Sequence, residues 1–178
     1  MGVSDRTAEL LEMVLKSGKP CVIDADALNT MAKRPELMEL LHAKAIITPH
    51  PGEMARLCGC GTDDVVKRFS ETAVGFAEKH GCCVLLKGAS SIIVSPSLNV
   101  RYNDSGNSGL AKGGSGDVLS GLIASMLAQG AKPFDAASIG SFLLGSSAEK
   151  ALNMLRERFI EATDVIDVIG MELSKGEK

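Results

Sequence analysis

The 178-residue chain is long enough to form one domain with a sizeable hydrophobic core. It is 45% hydrophobic and 23% charged, which is ordinary for a globular protein, and its net charge of −3 without a basic cluster gives no support for binding to nucleic acid or to a membrane. Aromatic residues make up only 3% of the chain, so a surface that stacks nucleic-acid bases is not expected.

The hydrophobic pattern predicts helices and strands that alternate along the chain. Helices are expected at 5–17, 25–32, 35–42 and 53–57, from 63 or 64 to 79, and at 116–129, 133–152 and 163–172. Strands are expected at 20–24, 45–48, 82–86 and 91–95, with an edge strand at 100–103, and the tail 174–178 is expected to fray. This alternation is typical of an α/β sandwich with a largely parallel sheet, and no linker or repeat divides residues 1–178 into two domains.

The N-terminus and the cysteines predict a cytoplasmic protein. The first residues, MGVSDRTAELLEMVLKSGK, are amphipathic and contain acids, unlike a signal peptide. No apolar run approaches the ~20 residues that a membrane span needs. The five cysteines include no C-x-x-C pair, and their odd number is typical of a reducing compartment. Cys58, Cys60 and His80 are too poorly spaced to predict a metal site.

Polar residues follow three of the predicted strands, at the edge of the sheet where ligands of α/β proteins gather. Taken singly, each of them has a structural explanation: a helix cap, a loop histidine or a solvated lysine. Their common position at strand ends is harder to explain in this way. They are Asp24 and Asp26 after the first strand, His50 and Glu53 after the second, and Lys87 and Gly88 after the third.

A glycine-rich segment, NSGLAKGGSGD (107–117), precedes the helix predicted at 116–129. Free amides and the helix dipole favour a phosphate at such a helix N-terminus. The segment is not a Walker A motif, because Ser115 replaces the lysine, and not a dinucleotide fingerprint, because Leu119 replaces the third glycine. Asp117 could merely cap the helix. The density of glycines beside this carboxylate instead favours phosphoryl transfer, with Asp117 taking a proton from the attacking hydroxyl.

Four longer segments carry a resemblance to a known family: VIDADALN (22–29), ITPHPGEMARL (47–57), LLKGASSIIVSP (86–96) and NSGLAKGGSGDVLSGLIASMLAQG (107–130). Together they resemble the ADP/ATP-dependent NAD(P)H-hydrate dehydratases of the ribokinase-like superfamily. The resemblance implies a three-layer α/β/α sandwich and a repair reaction, in which ADP or ATP phosphorylates the C6 hydroxyl of hydrated NADH or NADPH and loss of phosphate restores the dihydropyridine. The TPHPGE form favours ADP as donor, giving AMP. Mg²⁺ is expected with the nucleotide, without a dedicated protein metal cage.

The resemblance also implies roles for individual residues. Asp117 is expected to be the base at the substrate hydroxyl. The nucleotide is expected to contact Lys87, Gly88, Ala89, Ser90, Ser91 and Gly116. The amides of the anion hole are expected from Gly113, Gly114, Ser115 and Gly116. The substrate side is expected to comprise His50, Gly52, Glu53, Asp24 and Asn29, together with Asp117. Ser90 and Ser91 stand where the family pattern has Gly-Thr, and Ser91 keeps the hydroxyl.

The family pattern also creates expectations about the whole protein. Family members have further strands and a Gly-Pro-Gly-x-Gly motif before the position of Met1, so the N-terminal strands are expected to be missing and this chain alone to be weakly active or inactive. A homo-oligomer is expected. Two alternatives remain open: a vitamin-precursor kinase of the same superfamily, which would release a stable phosphorylated product, and a nucleotide-binding module without turnover.

Overall fold

The computed structural model describes residues 2–155 and 161–175. The helices are α1 (Asp5–Lys16), α2 (Asp26–Lys33), α3 (Pro51–Cys58), α4 (Thr62–Lys67), α5 (Phe69–His80), α6 (Ser115–Ala128), α7 (Pro133–Leu155) and α8 (Ala162–Lys175). The strands are β1 (Cys21–Ile23), β2 (Ala45–Ile47), β3 (Cys83–Leu86), β4 (Ser91–Val94) and β5 (Val100–Asn103). Two 3₁₀ helices cover Pro35–Leu40 and Ser108–Leu110.

The predicted strands are confirmed, but the long helix predicted from residue 63 or 64 to 79 is wrong. Arg68 has φ −116° and ψ 40°, which ends α4, and α5 begins at the next residue. The break turns the chain so that the Phe69 ring packs against the backbone of Gly88, where a β-carbon would lie 2.8 Å from the ring. At the C-terminus, α8 continues to Lys175, and residues 176–178 of the tail lie outside the described residues.

The five strands form one sheet in the order β1-β2-β3-β4-β5. β1 pairs with β2, and β2 with β3, in parallel, whereas β4 is antiparallel to both of its neighbours. In the described part of the chain, four of the five strands therefore point in the same direction. The expectation of an α/β fold with a largely parallel sheet is confirmed.

Alternate residues of the central strands face two separate hydrophobic cores, because successive side chains of a strand point to opposite faces. In β3, Val84 and Leu86 pack with α1 to α5, whereas Cys83 and Leu85 pack with α6, α7 and α8. Every residue of β3 is buried, which explains its continuous apolar sequence. The sheet is thus the middle layer of a three-layer sandwich.

The parallel strands fix where the polar residues lie. Asp24 directly follows β1, His50 follows β2 and Lys87 directly follows β3, so all three lie at the same edge of the sheet. Contacts between α6 and β1 bring the N-terminus of α6 to this edge. Among the described residues, no helix combines the length and the apolar character that crossing a membrane requires.

Candidate active site

A cleft of about 830 Å³ opens where the segments after β2, β3 and β5 meet the N-terminus of α6. Seven of the residues that the sequence singled out line this cleft: His50, Lys87, Gly88, Ala89, Ser91, Ser115 and Gly116. The predicted nucleotide segment and the predicted phosphate loop, which are well separated in the sequence, therefore share one cavity.

An ion pair connects the two sides of the cleft floor. The Nζ atom of Lys87 donates to Oδ1 of Asp24 at 2.9 Å, and the two side chains are 25% and 15% exposed. The other oxygen of Asp24, Oδ2, accepts a hydrogen bond from the Ser120 hydroxyl of α6 at 3.3 Å. The backbone N–H of Lys87 donates to the Pro49 carbonyl at 2.8 Å, which ties β3 to the segment after β2. Asp24 thus anchors a cation beside the first turns of α6.

The residue after Asp24 has a strained backbone. Ala25 has φ 52° and ψ −118°, a conformation that residues with a β-carbon rarely adopt. Such a residue costs about 1–3 kcal/mol and persists only where its surroundings fix it. Here Asp24 is held by Lys87, and the Ala25 carbonyl accepts the N–H of Asn29 in α2 at 3.0 Å. The strain therefore lies directly beside the carboxylate that anchors the cation.

Glycine is required at two points of the phosphate loop. Gly114 caps α6 with φ 94°, in the left-handed region that favours glycine. A β-carbon on Gly116 would lie 3.2 Å from Oδ2 of Asp24 and 3.9 Å from Nζ of Lys87, so this residue lies directly against the ion pair. The first N–H groups of a helix have no partner within the helix. The backbone amides at the start of α6, where an anion site is predicted, therefore lie next to the Lys87 ammonium.

Asp117 is the third residue of α6 and its side chain is exposed. Its carboxylate forms no hydrogen bond or ion pair with any other residue in 2–155 or 161–175. Asp117 does not itself line the cleft, but it directly follows Gly116, which does. A carboxylate that the described residues leave unengaged, beside a predicted anion site, is able to accept a proton from a bound hydroxyl.

His50 caps α3, a role that the sequence did not reveal. Its Nδ1 atom accepts the N–H groups of Gly52 at 3.0 Å and Glu53 at 3.4 Å. In return, the His50 N–H donates to Oε2 of Glu53 at 2.9 Å, which completes a capping box. Oε1 of Glu53 lies 3.5 Å from Nε2 of the imidazole, so the ring connects the nearly buried Glu53 to the cleft. The histidine ring itself is 51% exposed.

The remaining predicted residues lie around the cleft rather than on its wall. Asn29 accepts a hydrogen bond from Nε of Arg56 at 2.8 Å, which joins α2 to α3. The Ser90 hydroxyl donates to Asp104, beyond the end of β5. The predicted residues that do not line the cleft are Asp24, Asn29, Gly52, Glu53, Ser90, Gly113, Gly114 and Asp117.

One wall of the cleft comes from β5, the following loop and α7, and the sequence did not point to it. Nδ2 of Asn103 donates to the Ser141 hydroxyl at 2.8 Å, and the Ser105 hydroxyl donates to Oδ1 of Asn103 at 2.7 Å. A β-carbon on Gly145 would lie 2.6 Å from the Ser105 carbonyl. Glycine within a helix is about 1 kcal/mol less favourable than alanine. Gly140 and Gly145, within a predicted helix, were therefore a usable signal that α7 closely approaches another segment.

Metal ligands are sparse in this arrangement. The described ranges contain no group of three or more histidine, cysteine, aspartate or glutamate side chains that is positioned to hold a metal ion.

Comparisons with known proteins identify the family and the fold. A family profile described as NAD(P)H-hydrate dehydratase matches residues 1–170. The chain is 42% identical over 133 residues to the ADP-dependent (S)-NAD(P)H-hydrate dehydratase of Neisseria meningitidis serogroup B. The alignment covers 74% of this chain and 45% of the relative. The crystal structure of the ADP/ATP-dependent NAD(P)H-hydrate dehydratase of Bacillus subtilis, co-crystallised with ATP and Mg²⁺, superimposes with a TM-score of 0.84 at 29% identity.

The fold has a second counterpart in a ribokinase-like superfamily protein of Enterococcus faecalis, with a TM-score of 0.80 at 23% identity. The match covers 98% of this chain and 60% of that chain. The match to the Bacillus subtilis structure covers 99% of this chain and 62% of that chain. The described fold is therefore ribokinase-like, and the chain spans less than two thirds of the length of these proteins.

Proposed function

The chain belongs to the NAD(P)H-hydrate dehydratase family, and we propose that it dehydrates hydrated NADH or NADPH in an ADP-dependent reaction that yields NAD(P)H, AMP and phosphate. The Neisseria meningitidis relative bears the name of an ADP-dependent enzyme of this kind. One structural observation carries the proposal: the Lys87–Ala89 segment and the N-terminus of α6 line the same cleft. A nucleoside diphosphate and a hydroxylated acceptor must meet in such a cavity.

The nucleotide-binding residues proposed are Lys87, Gly88, Ala89, Ser90, Ser91 and Gly116. Gly88 lines the cleft, and a β-carbon at this position would lie 2.8 Å from the Phe69 ring. The Gly88 N–H donates to Oγ of Ser91 at 3.4 Å, so this hydroxyl shapes the turn that the nucleotide meets. Ser90 does not line the cleft, and its hydroxyl donates to Asp104, so its proposed contribution is indirect.

Phosphoryl transfer is proposed to occur at the start of α6. Amides of Gly113, Gly114, Ser115 and Gly116, together with the helix dipole, stabilise negative charge on the transferring group. Asp117 accepts the proton of the substrate hydroxyl as it attacks. The phosphorylation has a clear chemical purpose, because hydroxide is a poor leaving group whereas phosphate is a good one. Departure of phosphate, together with loss of a proton from the neighbouring ring carbon, then restores the double bond of the dihydropyridine ring.

The substrate is proposed to bind on the His50 side of the cleft, where the exposed imidazole faces the cavity. Gly52 and Glu53 contribute by fixing the orientation of this ring through the capping box. Asn29 contributes by holding Arg56 and hence α3. Asp24 contributes by fixing the Lys87 ammonium. Four of the proposed substrate-side residues therefore act by positioning other groups.

Mg²⁺ is proposed to arrive with the nucleotide, whose phosphate oxygens it neutralises. This assignment fits the described residues, which offer glycine backbone and an ammonium at the phosphate site but no carboxylate cluster. The Bacillus subtilis structure was obtained with ATP and Mg²⁺, so ATP remains the alternative donor to be tested.

Absorbance of the restored dihydropyridine ring tests the proposal. Hydrated NADH, Mg²⁺ and ADP are mixed with the protein, with ATP in place of ADP in a parallel reaction and the Neisseria meningitidis relative as a positive control. Asp117→Ala is expected to abolish the absorbance rise. Asp63→Ala is the matched control, since Asp63 is also an exposed aspartate in the first turn of a helix, α4, but lies away from the cleft.

The outcomes of this assay separate the candidate functions. An ADP-dependent rise that Asp63→Ala keeps and Asp117→Ala loses supports the proposal. A stable phosphorylated product instead would indicate a small-molecule kinase. Tight binding of ADP with neither product, even when the expected N-terminal segment is supplied, would indicate a nucleotide-binding module.

We further propose that residues 1–178 act as one domain, within a homo-oligomer in the cytoplasm. The five cysteines are unpaired, which suits a reducing compartment. Exposed apolar side chains on α7 and α8, such as Phe142 and Ile166, are compatible with an interface between copies. Light scattering after size-exclusion chromatography measures the oligomeric state, and a monomer at micromolar concentration would contradict this part of the proposal.

A further inference from the structure

Cys58 and Cys60 lie together at the C-terminus of α3, outside the cleft and outside every role assigned above. Both residues are exposed, whereas Cys82 and Cys83 are buried in the sheet. Gly59 alone separates them in the sequence, and Cys60 is near enough to Cys58 to raise the pKa of its thiol. We propose that Cys58-Gly59-Cys60 is a redox-active dithiol that a low-molecular-weight disulfide, such as oxidised glutathione, converts reversibly into an intramolecular disulfide.

The backbone of this segment suits closure of the ring. Two Cα atoms separated by one residue lie at most ~7 Å apart, and a disulfide spans about 4.4–6.8 Å between Cα atoms. Gly59 caps α3 with φ 66°, a left-handed turn that brings the flanking residues closer than an extended chain would. The N–H of Cys60 donates to the Ala55 carbonyl at 3.0 Å, which fixes this turn against the helix. A β-carbon on Gly59 would meet nothing within 4 Å, so the turn has room to adjust.

The surroundings of Cys58 favour one order of attack. Partial burial raises the pKa of the Cys58 thiol, and the nearby Cys60 raises it further, whereas Lys79 of α5 acts in the opposite direction. The raised pKa leaves less Cys58 thiolate, so we assign the ring-closing attack to Cys58 and the first attack to Cys60. In the cytoplasm, disulfides of this kind are transient and report on redox conditions.

The exchange is balanced in two steps. The Cys60 thiolate attacks one sulfur of oxidised glutathione, forms a mixed disulfide and releases one glutathione thiolate. The Cys58 thiolate then attacks the Cys60 sulfur and releases the second glutathione. The protein loses two electrons and two protons, and these reduce the small disulfide to two thiols. Excess reduced glutathione reverses both steps.

Peptide mass spectrometry tests the proposal, because cleavage after Arg56 and Lys67 releases both cysteines in one peptide, 57–67. The folded protein is incubated with oxidised glutathione, quenched with acid and labelled with an alkylating reagent in denaturant. The expected result is a peptide lighter by two hydrogens that carries neither glutathione nor alkyl label. Peptide 80–87, with the buried Cys82 and Cys83, is the internal control and is expected to carry two alkyl labels.

Two variants establish the order of the steps. Cys58→Ser is expected to retain glutathione on Cys60, since the resolving thiol is absent. Cys60→Ser is expected to form its adduct on Cys58 more slowly than Cys58→Ser forms its own. A synthetic peptide of residues 57–67 under the same conditions provides the reference. The proposal is overturned if the folded wild-type protein keeps a glutathione adduct, or keeps both thiols reduced while the synthetic peptide closes. Neither result depends on whether the protein dehydrates hydrated nucleotides.

Discussion

Replacing His50 by alanine is expected to destabilise the protein by about 1–2 kcal/mol. The imidazole accepts one well-placed N–H bond, from Gly52 at 3.0 Å, and one longer bond, from Glu53 at 3.4 Å. Alanine removes both acceptors and leaves two N–H groups of the first turn of α3 without a side-chain partner. It also removes the ring that lies 3.5 Å from the nearly buried Glu53 carboxylate. For a chain of this size, such a loss lowers the melting temperature by about 2–8 °C.

His50→Asn separates the structural role of the side chain from its proposed role toward substrate. Asparagine is among the preferred N-cap residues, so its amide oxygen is expected to restore most of the lost stability. It does not restore the imidazole in the cleft. Thermal and urea unfolding followed by circular dichroism measure the first role, and the dihydropyridine assay measures the second. The capping argument is refuted if alanine leaves the melting temperature unchanged or if asparagine lowers it as much as alanine does.

Three further predictions concern the cation, the cleft wall and the sheet. Asp24→Asn and Lys87→Gln are each expected to lower the unfolding free energy by about 1–2 kcal/mol. The double variant is expected to lose less than the sum of the two losses, because the side chains are paired. Urea unfolding of the wild type, the two single variants and the double variant measures this coupling. Gly88→Ala is expected to lower the unfolding free energy by about 1–3 kcal/mol and to weaken ADP binding in calorimetry, because the β-carbon overlaps a phenylalanine ring. Burial raises the pKa of the Cys82 and Cys83 thiols from 9.0 to about 12. The unfolded chain therefore releases these protons first, and stability in urea is expected to fall as pH rises from 9 towards 12.

Each of these predictions has a matched control. Gly75→Ala places a β-carbon in open space within α5, so it is expected to be neutral or stabilising by up to about 1 kcal/mol. A loss like that of Gly88→Ala would show that the overlap is not responsible. Strictly additive effects at Asp24 and Lys87 would show that the ion pair contributes no coupling. Replacing Cys82 and Cys83 by alanine is expected to flatten the alkaline decline, and an unchanged slope would assign it to other groups.

Hydrophobic periodicity was sufficient to predict where most helices and strands lie, because the alternating residues of β3 and the apolar faces of the helices are local properties of the sequence. The break at Arg68 was not predictable in this way. The residues around it continue the helical pattern, and the turn places the Phe69 ring against Gly88. That contact joins segments far apart in the sequence, so no local window contains it.

The candidate site could also be predicted only as far as local sequence allows. The glycine-rich loop and the polar strand ends identified the cleft, since their residue types are unusual at those positions. The role of each residue depended on its partners. His50 proved to cap α3, Asn29 to hold Arg56, and Asp24 to anchor Lys87. The wall formed by Asn103 and Ser105 escaped notice because these residue types are ordinary in loops.

The two-sided sheet has a consequence for how the protein folds. Asp24 is separated from Lys87 by 63 positions and from Ser120 by 96, so the network beneath the cleft connects the ends of β1 and β3 in the sheet with α6 in the layer formed by α6 to α8. Contacts between residues so distant in the sequence form late, after local helices and hairpins. We expect each layer to acquire protection from hydrogen exchange before the cleft can retain a nucleotide. Recovery of ADP binding during refolding would then mark the docking of the two halves of the molecule.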